Sequence, residues 1–410
     1  MRRRSEQMHM AVGGALRQRK RRQVRIRIGR KAKLRHSGDL SIRKRTHQAF
    51  LTRWAQAPAA ASAFLPTPCL VVKPAYGCIK NSDREAIMTM HRIAAAVLLM
   101  VAGTAGAQAQ DYPTRTITII VPFAAGGPAD ITGRIVADIF SRHLGQRVVV
   151  ENVGGAGGTI GTLRAAHAAA DGYTILSGHM GTNALAAAFY PDLGYDPQKD
   201  FEPIGLTAEY PELLVVRKNF PADNLSEFIA YAKANASKLN VGHAGVGSVS
   251  YIGCLLLDAA IGIKPTLVPF TGTAPVLNAM LAGDIDYECD PLLGTLAQVR
   301  AGAVKALAIA ARKRSPMLPD VPTSFEQGLP EFDCAPFYAA FVPTGTPKPI
   351  IEKLAEALNK GLGEESVQKR LAELGANIVE PDRRGPKPLA ALVRSESARL
   401  MPILKAATDK

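Results

Sequence analysis

The stretch Ile117-Thr118-Ile119-Ile120-Val121-Pro122-Phe123-Ala124-Ala125-Gly126-Gly127-Pro128-Ala129-Asp130 decides how this chain is read. Its first seven residues form an apolar run rich in β-branched side chains, which suits a buried strand. Ala125-Gly126-Gly127 makes a turn, and Ile131, Ile135, Val136, Ile139 and Leu144 then recur at helical spacing until Gly145. Strand, glycine turn, helix and glycine stop together begin a unit that lays its strands parallel.

Working outward, the same order repeats. Arg147–Asn152 reads as a second strand, Gly154-Gly155-Ala156-Gly157-Gly158 as a second glycine turn, Thr159–Ala170 as a helix and Tyr173–Ser177 as a third strand. After a bridging strand at Leu213–Val216 the alternation restarts. A helix opens at Asn224 with Glu227 three positions on, the spacing of a capping box. Strand Leu239–His243 leads through Ala244-Gly245-Val246-Gly247 to a helix opened by Ser248, and strand Thr266–Pro269 leads through Phe270-Thr271-Gly272 to a helix from Thr273 to Gly283. Strands Ile285–Cys289 and Val304–Ala310 flank a short helix. Phe337–Val342 reads as a return crossing, and a helix carrying Ile350, Ile351, Leu354, Leu358 and Leu362 follows Pro347-Lys348-Pro349.

About 300 residues exceed what one core usually holds, so two α/β lobes are expected, with parallel sheets covered by helices on both faces. The division is residues 110–212 with 333–410 as lobe I and 213–332 as lobe II. Two crossings between lobes make a hinge, and a hinge between two lobes makes a cleft.

The net charge of +15 is concentrated at one end. Residues 1–87 hold 21 Lys+Arg and 4 Asp+Glu, which leaves 29 basic and 31 acidic residues in 88–410. The bulk of the chain is thus near neutral and gives no reason to expect nucleic-acid binding. From Met90 a short basic start, an apolar run Ile93–Val101 and the small-residue sequence Ala107-Gln108-Ala109 succeed one another, the order of a secretory signal peptide at 88–109. The expected cut lies after Ala109, which makes residues 1–87 an over-extended, disordered start and the location periplasmic. No later segment is apolar and long enough to span a bilayer. The mature chain holds Cys254, Cys289 and Cys334, which allow one disulfide at most and fit no zinc spacing; Cys254, in Gly253-Cys254-Leu255-Leu256-Leu257, reads as a buried small hydrophobe.

The motifs Val121–Asp130, Glu151–Gly161, Asp171–Leu176, Tyr195–Phe201, Ala244–Ser248, Val268–Phe270, Lys313–Pro316 and Pro343–Pro347 stand in the order found in the substrate-binding proteins of tripartite tricarboxylate transporters, the Bug family, which this chain resembles over essentially all of its mature length. The resemblance implies a two-lobed periplasmic binding protein of type II, two doubly wound α/β domains joined by a two-strand hinge. It implies an organic carboxylate as ligand, a membrane permease with a large and a small subunit as partner, and ligand contacts from the loops after the strands. Departures fall around the expected cleft: Ser248-Val249-Ser250-Tyr251 ends in Tyr where many relatives have His, Phe270-Thr271-Gly272 replaces a Tyr-Lys-Gly-like stretch, Ala186-Ala187 an Asn-Pro, and Phe337 a Trp. Ligand identity therefore does not carry over.

Glycine loops that open helices expose N–H groups without intrahelical partners, next to the positive end of the helix dipole, and can hold an anion without lysine or arginine. The candidate ligand-binding residues are Phe123, Ala124, Ala125, Gly126, Gly127 and Asp130 in the first loop, Gly154, Ala156 and Gly157 in the second, and Ala244, Gly245, Gly247 and Ser248 in the third. Thr271, Asp290 and His179 complete the set. His179 reads as a loop residue after a strand, either touching ligand or solvated. Asp130 serves by default at a helix N-terminus, and Asp290 reads either as the receiver of a ligand ammonium or hydroxyl or as a turn cap before Pro291. No dinucleotide fingerprint, phosphate loop, nucleophile elbow, metal-ligand set or triad signature is present, so no cofactor, metal or catalytic residue is expected, and the chain is expected to act as a monomer. Two rival classes are a receptor of the same fold that signals to a membrane sensor kinase and an enzyme on a similar fold.

Overall fold

The computed structural model describes residues 112–408 and, before them, Met90 alone; the expectations for the extension 1–87 and for the signal peptide and its cut lie outside the described residues, Met90 apart. Two five-stranded sheets organise the chain. The first is built from β1 (Ile117–Val121), β2 (Val148–Asn152), β3 (Thr174–His179), β4 (Phe201–Glu209) and β10 (Phe337–Pro343), in the order β2-β1-β3-β10-β4. The second contains β5 (Glu212–Arg217), β6 (Asn240–His243), β7 (Thr266–Pro269), β8 (Tyr287–Pro291) and β9 (Val304–Ile309), in the order β7-β6-β8-β5-β9.

Parallel sheets were expected, and each sheet instead holds one antiparallel strand. β10 runs against β3 and β4, and β5 runs against β8 and β9. These are the strands that arrive from the other lobe, so they enter their sheet from the end at which its parallel strands finish. Leu213–Val216 and Phe337–Val342, expected as the crossings themselves, are therefore inner strands. The crossings lie just before them: Tyr210 N–H donates to Pro336 O at 3.3 Å and Glu212 N–H to Cys334 O at 3.0 Å, which binds the two connecting segments side by side.

Helices cover both sheets. They are α1 (Pro128–Leu144), α2 (Thr159–Ala166), α3 (Leu225–Asn235), α4 (Val249–Ile261), α5 (Thr273–Ala282), α6 (Leu292–Arg300), α7 (Lys348–Leu362), α8 (Glu365–Glu373) and α9 (Pro386–Thr408). Local chemistry sets several ends. Gly145 closes α1 with φ of 67°, a left-handed conformation that glycine adopts without a Cβ penalty. Asn224 caps α3 by accepting from Glu227 N, while Glu227 Oε2 accepts from Asp223 N. The long helix α9 packs on β4 of the first sheet and on α4 beside the second, adding a third link between the lobes. Among the described residues no helix is long and apolar enough to cross a membrane. Cys254, Cys289 and Cys334 are all free and buried, and Cys254 Sγ accepts from Cys289 N at 3.0 Å.

Candidate ligand site

Between the sheets lies a cavity lined by residues of both lobes. It sits at the carboxyl ends of the parallel strands, the edge at which open α/β sheets bind ligands. The N-termini of three helices converge on it: α1 from the first lobe through Pro128 and Ala129, and α4 and α5 from the second through Val249, Ser250, Thr273 and Ala274. First-turn N–H groups have no intrahelical acceptor and sit at the positive end of the dipole. No lysine or arginine is among the lining residues.

Eight of the expected residues line this cavity: Phe123, Ala124, Ala125 and Gly127 of the first loop, Ala244 and Ser248 of the third, with His179 and Asp290. The others lie outside it. Asp130 is buried behind the first loop. Its Oδ2 accepts from Gly126 N at 2.9 Å and Arg134 Nε at 3.0 Å, and its Oδ1 accepts from Asn152 Nδ2 at 2.9 Å. Burial opposes the charge, but Arg134, Gly126 N–H and Asn152 hold this carboxyl below the usual range. Gly126 thus spends its N–H inside the loop and offers none to a ligand. Thr271 is exposed outside the cavity, where Gly272 and Thr273 take the position expected of it.

The second glycine loop does not reach the cavity. A Cβ on Gly154 would lie 3.3 Å from Ala124 N, so this residue lets the two loops of the first lobe pack backbone to backbone. Ala156 is exposed, with φ of 45°. Gly157 meets the opposite lobe: a Cβ there would lie 1.6 Å from Val246 O. Gly245 and Gly247 complete this contact, since a Cβ on Gly245 would lie 3.0 Å from Gly157 N and a Cβ on Gly181 would lie 2.2 Å from Gly247 O. Tyr190 Oη donates to Val246 O at 2.9 Å across the same junction. These glycines let the lobes touch.

The third loop also consumes donors that were expected to be free. Ala244 N–H donates to Ser250 Oγ at 3.0 Å, Gly245 N–H to His243 Nδ1 at 3.2 Å and Ser248 N–H to Gly245 O at 3.0 Å. The available donors are those of the helix starts instead. Ser248 caps α4 by accepting from Tyr251 N at 3.2 Å.

His179 is the last residue of β3, fully buried, where a residue after the strand was expected. Its Nδ1 accepts from Gly181 N at 2.9 Å and Thr182 N at 3.3 Å, so the ring proton resides on Nε2, which has no partner among the described residues. The ring packs between Phe123 and Tyr338, with centroids 4.9 and 5.8 Å away. Burial lowers its pKa to about 3, which keeps it neutral. Asp290 is the penultimate residue of β8; its Oδ1 accepts from Thr273 Oγ1 at 3.0 Å, and burial raises its pKa to about 8.

Sequence reasoning missed Tyr338, Thr273 and Ser250. Thr273 and Ser250 lie in the first turns of helices that were expected, and attention to those first turns would have found them. Tyr338 enters through pairing with His179, which depends on the antiparallel entry of β10.

Residues 132–408 match the family model described as the tripartite tricarboxylate transporter family receptor. A UPF0065 protein from the ttuE-ttuC' intergenic region of Agrobacterium vitis is 42% identical over 302 residues, covering 73% of this chain and 87% of its own length. The structure of MatC from Rhodopseudomonas palustris with bound malate is 46% identical, with a TM-score of 0.69 over 72% of this chain and 100% of that one. The periplasmic binding protein BugD is 40% identical, with a TM-score of 0.69 over 72% and 98%. The chain belongs to the tripartite tricarboxylate transporter receptor family, and its fold is the two-lobed periplasmic binding protein fold that the sequence resemblance implied.

Proposed function

We propose that this receptor of the tripartite tricarboxylate transporter family captures a small organic carboxylate in the interlobe cavity and delivers it to a membrane permease with a large and a small subunit. The observation that carries this reading is the convergence of three helix N-termini, one from the first lobe and two from the second, on a cavity without a cationic side chain. Three dipole ends and their free N–H groups suit one or two carboxylates, and an anion touching both lobes favours their closure. The malate held by MatC is a ligand of this class.

In this reading lobe I comprises residues 110–212 with 333–410 and lobe II residues 213–332, moving about the paired crossings at Tyr210–Glu212 and Cys334–Pro336. Residues 88–109 direct the chain to the periplasm, where it works as a monomer. Thermal-shift screening of the purified chain against a panel of organic acids tests the reading, because a ligand that binds only the folded form raises the melting temperature. A rise with small dicarboxylates is expected. A panel of malate, succinate, adipate and citrate that leaves the melting temperature unchanged at millimolar concentration contradicts it.

A further inference from the structure

Asp290 is 1% exposed, lines the cavity and has one satisfied oxygen, Oδ1, and one, Oδ2, with no partner. Its surroundings hold no compensating charge. Glu288, also fully buried, lies two residues back on the same face of β8, and Glu212 lies on the neighbouring β5 with both oxygens unpartnered. Tyr338 of β10 and the neutral His179 of β3 line the same cavity from the first lobe, whereas the buried His243 of β6 packs on Tyr251 and is not among the lining residues. Helix α5 brings the Thr273 hydroxyl. Helix α6 brings Gly294, where a Cβ would lie 2.0 Å from Asp290 Oδ2.

A carboxylate charge there would be desolvated, beside two other buried acids, with one neutral hydrogen bond to support it. Such a group keeps its proton instead. The pKa near 8 agrees with this, and burial likewise pushes Glu288 well above its usual range. With Oδ1 occupied by Thr273, the Asp290 proton belongs on Oδ2. His179 matches it from the other lobe, with its proton on Nε2 and no acceptor. The cavity therefore presents two buried neutral donors and three helix N-termini, all of which seek oxygen. A ligand ammonium would find only positive dipole ends.

We propose that Asp290 is a specificity residue of this site: as a neutral acid it donates from Oδ2 to an oxygen of the bound ligand, as His179 does from Nε2, so the cavity accepts hydroxy- or unsubstituted carboxylates and rejects the corresponding amino acids. This inference rests on the reading of the cavity as the ligand site.

L-malate and L-aspartate share a carbon skeleton and differ by hydroxyl against ammonium, so they separate the alternatives. Calorimetric titration of the full chain with each, between pH 6 and 9, should show malate binding at least about tenfold tighter at pH 7. Malate affinity should fall about tenfold per pH unit above about 8, as Asp290 ionises beside the anion. Asp290→Asn keeps a donor and cannot ionise, so it should stay within about threefold of the parent at pH 7 and lose the alkaline fall; Asp290→Ala should lose about tenfold. Aspartate binding as tightly as malate, or a tenfold loss in Asp290→Asn at pH 7, overturns the inference. If the variants do not fold, the pH profile of the unmodified chain still decides: malate affinity that stays level between pH 6 and 9 overturns the inference. Failure of malate, aspartate and adipate all to bind overturns the reading of the cavity itself, and this inference with it.

Discussion

Gly157→Ala should abolish tight binding without touching the cavity. In the structure, Gly157 of the first lobe faces Val246 of the second, and an added Cβ would lie 1.6 Å from Val246 O, 2.8 Å from Val246 C and 3.3 Å from Tyr190 Oη. Carbon and oxygen cannot approach so closely. The obstacle is backbone, so relief requires the lobes to part by roughly 1.5–2 Å if contact is to return to the ordinary 3.5 Å range. Overpacking that neighbours can absorb costs about 1–3 kcal/mol, so about 3 kcal/mol is a reasonable penalty on the closed form where they cannot. If closure accompanies binding, that penalty lowers affinity by about 100-fold. The substitution also places alanine at φ of 62°, which costs roughly 1–2 kcal/mol whether the lobes are open or closed. Gly145→Ala is the control, since Gly145 has φ of 67° and no atom within 4 Å of its virtual Cβ. Calorimetry with malate should show the control binding like the parent and Gly157→Ala about 100-fold weaker, and small-angle scattering should show compaction by ligand in the control alone. Gly157→Ala binding within about threefold of the parent, with full compaction, would refute the reasoning.

Other expectations follow from the same geometry. Gly127→Val should fold normally, because Gly127 has an ordinary φ of −88° and a Cβ there would lie 4.0 Å from its nearest neighbour, Ala124 O, yet project into the cavity and weaken malate binding by about 30-fold in calorimetry. Asp130→Ala frees Gly126 N–H, Asn152 and Arg134 together; thermal melts should show a loss of about 1.5–3 kcal/mol, and binding should weaken as the first loop loses its shape. Asp258, buried against the Tyr287 hydroxyl at 2.5 Å, has its pKa raised by burial from 3.8 to about 7. The folded state therefore holds the extra proton between about pH 4 and 7, and stability from this group is full below pH 4 and lost as pH rises through 7. Asp258→Asn should flatten the decline in melting temperature between pH 5 and 8, against a linkage of the order of 4 kcal/mol. His179 and His243 act in the opposite sense: their lowered pKa values favour the fold above about pH 6.5 and withdraw support as pH falls towards 4.

Much of this architecture could be read from the chain because its strands and helices end in strong local signals. Ile117–Phe123 with Gly126 and Gly127, the Asn224 and Ser248 caps, and the glycine stops at Gly145 and Gly283 are all determined within a few residues. Strand β4 could not be read that way. Its sequence, Phe201–Glu209, carries Pro203 and Gly205, which weaken a strand signal, and it is tolerated because β4 lies at the edge of its sheet with one neighbour. The antiparallel entry of β5 and β10 follows from lobe connectivity, which no local pattern encodes. The site was half legible for the same reason. Residues on the first loop are fixed by the local turn, whereas Gly157, Gly245 and Gly247 are shaped by a partner from the other lobe, so glycines that serve interlobe contact look like those that approach a ligand. The state of His179 depended on Gly181 and Thr182, and that of Asp290 on Glu288, Glu212 and Thr273, which only the folded chain brings together.

An acid held between the lobes by helix starts and neutral donors would be seen in a crystal structure of the chain grown with malate. Malate is expected in the cavity between Phe123 and Asp290, its carboxylate oxygens within hydrogen-bond distance of first-turn N–H groups of α1 and of α4 or α5, and the Gly157–Val246 contact closed. Malate seated instead on an outer surface, held by lysine or arginine side chains with this cavity unoccupied, would contradict it.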